Sequence, residues 1–194
     1  MPNALKLLFL VWLSALYLPA QTATPVEEAK PVVLQNNEGE LRTRKPREGV
    51  SSPSTDFLLK IGPKTSGSKH LLLFTEEVAP GAAIPKHKHH GEEEILLIQT
   101  GTAHVWLGDK EYDARAGALV FIPAETWISL KNTGTENISL VAVWNEPGFE
   151  AMLRCGSVPK GQVGEPISRD GVQDCYHHGD AELAPVQSSI GKTP

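Results

Sequence analysis

From Asp56 onward the chain alternates between short apolar runs and turn-forming steps: FLLKI, KHLLLFTEEV, EILLIQ, AHVWLG, ALVFIP, TWISLK and NISLVAVW, broken by Gly-Pro, Pro-Gly, Thr-Gly and Gly-Asp. Alternation with a period of two marks strands with one buried face. Strands at this spacing, with no long helical pattern between them, predict an all-β fold, a sandwich or small antiparallel β-barrel. The step Leu107-Gly108-Asp109-Lys110 predicts a tight hairpin. After Trp144, Pro-Gly-Phe-Glu-Ala-Met-Leu-Arg predicts one short helix, and the polar, Gly- and Pro-rich tail from about Gln162 predicts loops. The organisation expected is a leader at 1–20, a linker with an edge strand at Val32-Val33-Leu34 over 21–55, a β-barrel over 56–147, and a short helix with a loop-rich tail over 148–194.

The leader follows from the unbroken apolar stretch Leu7 to Leu18, preceded by Lys6 and followed by Pro19 and Ala20. That order predicts a signal peptide, with cleavage after Ala20 or Ala23, and export to a periplasm or the outside. Twelve apolar residues are too few to span a bilayer core of roughly 30 Å at 1.5 Å per residue, so no stable membrane anchor is expected. The 194 residues, 40% of them apolar, suit one domain. The formal charge of −5 comes without a basic stripe interleaved with aromatics, which argues against nucleic acid. Arg42, Arg44, Lys45 and Arg47 cluster among prolines and polar residues and read as a solvated arm. In an exported chain Cys155 and Cys175 can pair, a bridge contributing roughly 3 kcal/mol; two unpaired thiols are the alternative.

The candidate chemistry lies in Gly81-Ala-Ala-Ile-Pro-Lys-His87-Lys-His89-His90-Gly-Glu92-Glu93-Glu94, which runs on to Gly101. In an extended chain His87 and His89 point the same way, toward the interior, while Lys88 points out. A carboxylate from the next strand completes a two-His, one-carboxylate set that leaves positions open on a divalent ion. Glu94 is the carboxylate chosen.

These residues resemble the cupin superfamily, whose first motif reads G-x5-H-x-H-x(3,4)-E-x6-G. Gly81, His87, His89, Glu94 and Gly101 meet every fixed position, and only Glu94 stands six residues before a glycine. The second motif, G-x5-P-x-G-x2-H-x3-N, is met by Gly117, Pro123 and Asn132 but not by Glu125 or Ile128. Ile128 stands where most metal-binding cupins supply a third histidine, and it has no atom that coordinates. The resemblance covers roughly Asp56 to Trp144 and implies a jelly-roll barrel.

Three readings follow. His87, His89 and Glu94 alone hold a divalent metal (Fe, Mn, Ni or Zn); or His104 or His90 replaces the missing ligand; or the barrel is metal-free, Ile128 packs inward beside Leu130, and the cavity serves as a small-molecule, sugar-like binding module. The resemblance implies a quercetinase-like, metal-dependent oxygenase for the first, with Glu94 as ligand, base or both. His70 and His104, each in a strand beside apolar residues, read as packed or surface side chains, and His177 and His178, in the tail beside Cys175, as a place for adventitious metal pickup rather than a site. Trp106, Trp127 and Trp144 are candidates for core or cavity wall, Trp127 facing opposite to Ile128. A small-molecule ligand or substrate is the expected partner, with a homodimer through edge strands near Phe57 and Val32 as the default.

Overall fold

The computed structural model describes residues 28–50 and 55–185; the leader expected at 1–20 lies outside the described residues. Two antiparallel sheets enclose one core. The larger runs β11 (Ser157–Pro159), β1 (Glu40–Arg44), β2 (Asp56–Ile61), β3 (Leu72–Val78), β10 (Ile138–Trp144), β5 (Glu94–Thr100), β8 (Leu119–Ile122). The smaller runs β12 (Ala181–Leu183), β4 (Ala83–His89), β9 (Ile128–Asn132), β6 (Thr102–Leu107), β7 (Lys110–Arg115). Helices α1 (Glu150–Cys155) and α2 (Arg169–His178) follow the last long strand. The arrangement is a jelly roll of two facing sheets. No ladder joins their edges among the described residues, so the expected barrel is not closed by hydrogen bonds.

Side-chain alternation explains the core. In β10, Ile138, Leu140, Ala142 and Trp144 are buried, while Ser139, Val141 and Val143 face outward. They meet Phe57, Phe74, Leu96 and Ile98 from the same sheet and Val105, Ile128 and Leu130 from the other. Each large side chain buried in this way contributes roughly 1.5–3 kcal/mol. Trp144 stacks on Phe74 with ring centres 5.3 Å apart. The hairpin expected at Leu107-Gly108-Asp109-Lys110 joins β6 to β7.

The motif residues outside the His cluster serve the turns. Gly101 has φ +82°, and a Cβ there would lie 2.9 Å from the carbonyl oxygen of Asn137, so only glycine fits. Asn132 is buried; its amide donates to Val78 O at 2.7 Å and Glu136 O at 2.8 Å and accepts from Gly134 N at 2.9 Å. Glu125, where the motif has glycine, keeps a left-handed backbone at φ +62°. Its carboxylate takes Lys88 and His90, each at 2.8 Å.

Three expectations need correction. Val32-Val33-Leu34 forms no strand and is exposed; the strand in this region is ELRTR, β1, paired between β2 and β11. The basic cluster is therefore no solvated arm. Arg42 is buried, with its Nε on Ser157 Oγ at 2.8 Å, and Arg44 reaches Glu76 at 2.5 Å. The tail is more ordered than expected: α2 is capped by Ser168, whose hydroxyl accepts from Gly171 N at 3.1 Å, and Cys155 is bonded to Cys175, tying α1 to α2. Polar composition hid β1 and α2. Val172, Cys175 and Tyr176 nevertheless form the i, i+3, i+4 stripe that α2 buries.

Glu40 joins the first strand to the first helix. Arg154 holds it in a fork at 2.8 and 2.7 Å, and Arg42 adds a contact at 2.6 Å. The hydrogen bonds from Arg154 lead the effects that bring its pKa from 4.5 down to about 2, against a partial desolvation that raises it. A carboxylate with a depressed native pKa stabilises the fold above its unfolded pKa and loses that contribution as pH falls through the native value. Glu40→Gln is expected to lower stability by about 2 kcal/mol at pH 7, after allowance for solvent screening. In urea titrations the gap from the parent should close between pH 4.5 and about 2; a gap independent of pH would remove Glu40 as its source.

Candidate metal centre

His87 and His89 lie at the end of β4 and Glu94 opens β5, so the intervening loop folds the two strands of the motif onto one point. All three side chains are buried, and one ligand atom from each lies within 4.8 Å of the others. The alternation expected for β4 is observed, with His87 and His89 inward.

Donor chemistry fits a cation. His87 Nδ1 sits 2.8 Å from Pro85 O. A carbonyl only accepts, so Nδ1 carries the hydrogen and Nε2 keeps its lone pair. Burial, the largest influence, brings the His87 pKa down to about 4, so the ring is neutral at pH 7. His89 Nε2 lies 3.3 Å from Glu94 Oε2 and 3.3 Å from the Trp144 indole N–H. His89 Nδ1, Glu92 Oε2 and Glu94 Oε2 are buried without a hydrogen-bond partner. Two buried carboxylates facing histidine nitrogens make an electron-rich cluster that a positive charge would relieve.

A proton can also serve. Burial alone would disfavour charge on His89, but Glu92 and Glu94 outweigh it and push its pKa up to about 9. Protons and a metal therefore compete for this cluster.

Glu92 is the residue the sequence reading passed over. It is 3% exposed, its Oε1 accepts from Phe149 N at 2.9 Å, and its Oε2 lies 3.6 Å from His89 Nδ1. The signal was present in the spacing, since Glu92 and Glu94 are two apart and both inward, whereas Glu93 is exposed. Ile128 is 1% exposed and pairs with His87 across β4 and β9, so the position of the absent histidine adjoins the cluster and is filled by hydrocarbon. Neither proposed replacement reaches the cluster. His104 lies between Asp113 and Glu111 at 2.9 and 3.1 Å, and His90 is held by Glu125. His70, His177 and His178 are exposed. Trp127 faces away from Ile128 and lies under Lys86 and Lys88, while Trp144 is at the site.

Above the triad opens a cavity of about 440 Å³. Phe74, Leu96, Leu140, Trp144 and Phe149 give it an apolar wall; His87, Glu94, Tyr176, Arg44 and Arg47 give it polar points. Phe149 sits 4.5 Å from the His89 ring, and Tyr176 sits 5.6 Å from His87. α1, α2 and the loop preceding α1 thus shield the histidines.

Residues 74–144 match the family model described as a cupin domain. The sheets seen here are also those of a crystal structure from Thermotoga maritima described as a predicted oxalate decarboxylase. It aligns over 59% of this chain and 99% of that one, with a TM-score of 0.51 and 23% identity. Residues 74–144 thus form a cupin domain, and the likeness to that crystal structure shows the same fold. Among curated proteins, auxin-binding protein 1 of Arabidopsis thaliana is 22% identical over 117 residues, 56% of this chain and 59% of that protein. The oxalate-binding protein of Thermotoga maritima is 30% identical over 76 residues, 39% of this chain and 63% of that protein. The chain spans less than two thirds of the length of either relative.

A carboxylate that takes the N–H of a metal-bound histidine fixes the ring and strengthens its donor atom, typically by 10–100-fold in metal affinity. Glu92→Gln should weaken zinc binding, read by competition with a chromophoric chelator, by about tenfold or more, with the circular dichroism spectrum unchanged. Equal affinity in the variant would show that Glu92 does not orient His89.

Proposed function

We propose that this protein is an exported small cupin that holds a divalent metal through His87, His89 and Glu94 and acts on a small organic molecule in the adjoining cavity. The observation that carries this reading is the buried convergence of the three donors with Glu94 Oε2 left unpartnered. When bound, the ion would supply Lewis acidity and open positions for substrate and oxygen, which makes a quercetinase-like, metal-dependent oxygenase the reaction class. His87 offers Nε2 from a neutral ring held by Pro85, and Glu94 serves as ligand or as base toward an acidic substrate hydroxyl. Trp144 and Phe149 keep water from the histidines. Export is supported by the Cys155–Cys175 bond, since such bonds persist in oxidising compartments.

One observation favours a second reading. His89 charged between Glu92 and Glu94 offsets one of the two carboxylate charges without a metal, which supports a metal-free small-molecule binding module. The two relatives are named for binding auxin and oxalate, which suits a small organic ligand in either case.

Mature protein isolated from the exported fraction, with its N-terminus near Gln21, is expected to carry close to one metal ion per chain by elemental mass spectrometry. His87→Ala should lose it, and His177→Ala/His178→Ala, which removes adventitious surface ligands, should keep it. Metal-loaded protein should then consume oxygen with a flavonol or catechol. No metal after reconstitution would select the binding module, and metal without oxygen uptake would remove the oxygenase.

The homodimer is also proposed, but not through Phe57 and Val32: Phe57 is buried and β2 is an inner strand. The outer face of the larger sheet offers a better surface. Registered neighbours Leu73, Val143, Ile95 and Phe121 form one row, and Val141, Leu97 and Leu119 a second, ending at the open edge β8. Leu119 and Phe121 are 69% and 54% exposed, and patches of this kind usually mark interfaces. Sedimentation should give a dimer for the parent and a monomer for Leu119→Asp/Phe121→Asp; a monomeric parent would remove this face as a self-interface.

A further inference from the structure

A second polar cluster shares the cavity with the triad. Tyr176 is 3% exposed and lines the cavity with Arg44 and Arg47, yet its hydroxyl has no hydrogen-bond partner among the described residues. Buried tyrosines ordinarily find one. Arg44 spends one N–H on Glu76 and finds no other side-chain acceptor among the described residues, its guanidinium resting 4.8 Å above the Phe57 ring. Arg47 forms no salt bridge among the described residues. Both guanidiniums lie close enough to Tyr176 to act on it electrostatically, and burial pushes its pKa up to about 12, so the hydroxyl remains a donor at neutral pH. Of the acidic groups lining the cavity, Glu76 is paired with Arg44, Glu77 is exposed, and Glu94 belongs to the triad beside the histidines.

The donors come from β1, the segment after it, and α2, all outside residues 74–144. They converge on a chamber whose remaining wall is aromatic and aliphatic, from Phe74, Leu96, Leu140, Trp144 and Phe149. Guanidinium and phenol donors match a carboxylate, which accepts several hydrogen bonds in one plane. A chamber of about 440 Å³ suits a ligand of one or two rings.

We propose that Tyr176, Arg44 and Arg47 form an anion subsite that makes the cavity select small organic acids with a flat apolar body. The carboxylate lies on these donors and the body against Phe74, Trp144 and Phe149. This deepens the reading of the cavity as the ligand site and does not require the metal. A carboxylate bound to the ion itself would be a different arrangement, and the experiment separates the two.

The test is calorimetric titration with 2-naphthoate and its neutral isostere 2-naphthamide, in zinc-loaded and in chelator-treated protein, folding being checked by circular dichroism. Naphthoate should bind at least tenfold more tightly than naphthamide in both preparations. Arg47→Ala, at an exposed position, and Tyr176→Phe should each bring that ratio down severalfold. Equal binding of acid and amide, or no binding of either, overturns the proposal. A preference that disappears with the zinc overturns it too, since the acid would then sit on the metal. If the parent takes up no zinc, the metal reading above fails while the acid preference of the chelator-treated protein is still measured.

Discussion

A cluster of two imidazoles and two carboxylates sits against the apolar core of the sandwich, and the surrounding structure is arranged around that electrostatic demand. Removing such groups from water carries a penalty of several kcal/mol per uncompensated charge. His87 meets it by staying neutral on a backbone carbonyl. His89 meets it by standing between Glu92 and Glu94. The rest of the burial is imposed by Phe149, Tyr176 and Trp144, which close over the rings. A carboxylate left at Glu94 Oε2 without a hydrogen bond is tolerable only where a cation, whether a proton on a neighbour or a metal ion, completes the balance.

The covering residues depend in turn on the chain after the last long strand. Gly148 passes so close to Glu92 that a Cβ there would stand 2.6 Å from Oε1. That approach lets the backbone N–H of Phe149 hold Glu92 while the Phe149 ring reaches His89. Helix α2 adds Tyr176 one residue after the disulfide-bonded Cys175, so the covalent link to α1 and the wall of the cavity are set by adjacent residues.

Much of this was legible in the sequence because it obeys period two. The strands from β2 to β10 with apolar alternation, the hairpin at Gly108, and the inward pair His87 and His89 all follow from that rule. Ile128 packs inward beside Leu130, as one of the open readings had it. What escaped obeys other physics. β1 is polar because its interior-facing arginine is satisfied by Ser157 and Glu40 rather than by hydrocarbon, and composition cannot distinguish that from a solvated arm. β7 buries only Ala114 and so shows almost no pattern. Helix α2 is held by a three-residue stripe and a disulfide, in a segment whose average polarity resembles a loop. Glu92 was hidden by its neighbours, because three glutamates in a row carry one visible motif position.

The pairing of β1 with β11, and of β12 with β4, has a consequence for what counts as the unit of this fold. The stretch recognisable by family pattern, 74–144, supplies the two histidines and the glutamate. It lacks β11, β1 and β2, which cover β3, and β12, which covers β4, and it lacks Arg44, Phe149 and Tyr176. Excised at those limits, the stretch would keep its metal-binding signature while two sheet edges stood open and the chamber lost a wall. The family pattern occupies the middle of the chain, while part of the chamber wall comes from the two flanks that fold back over it.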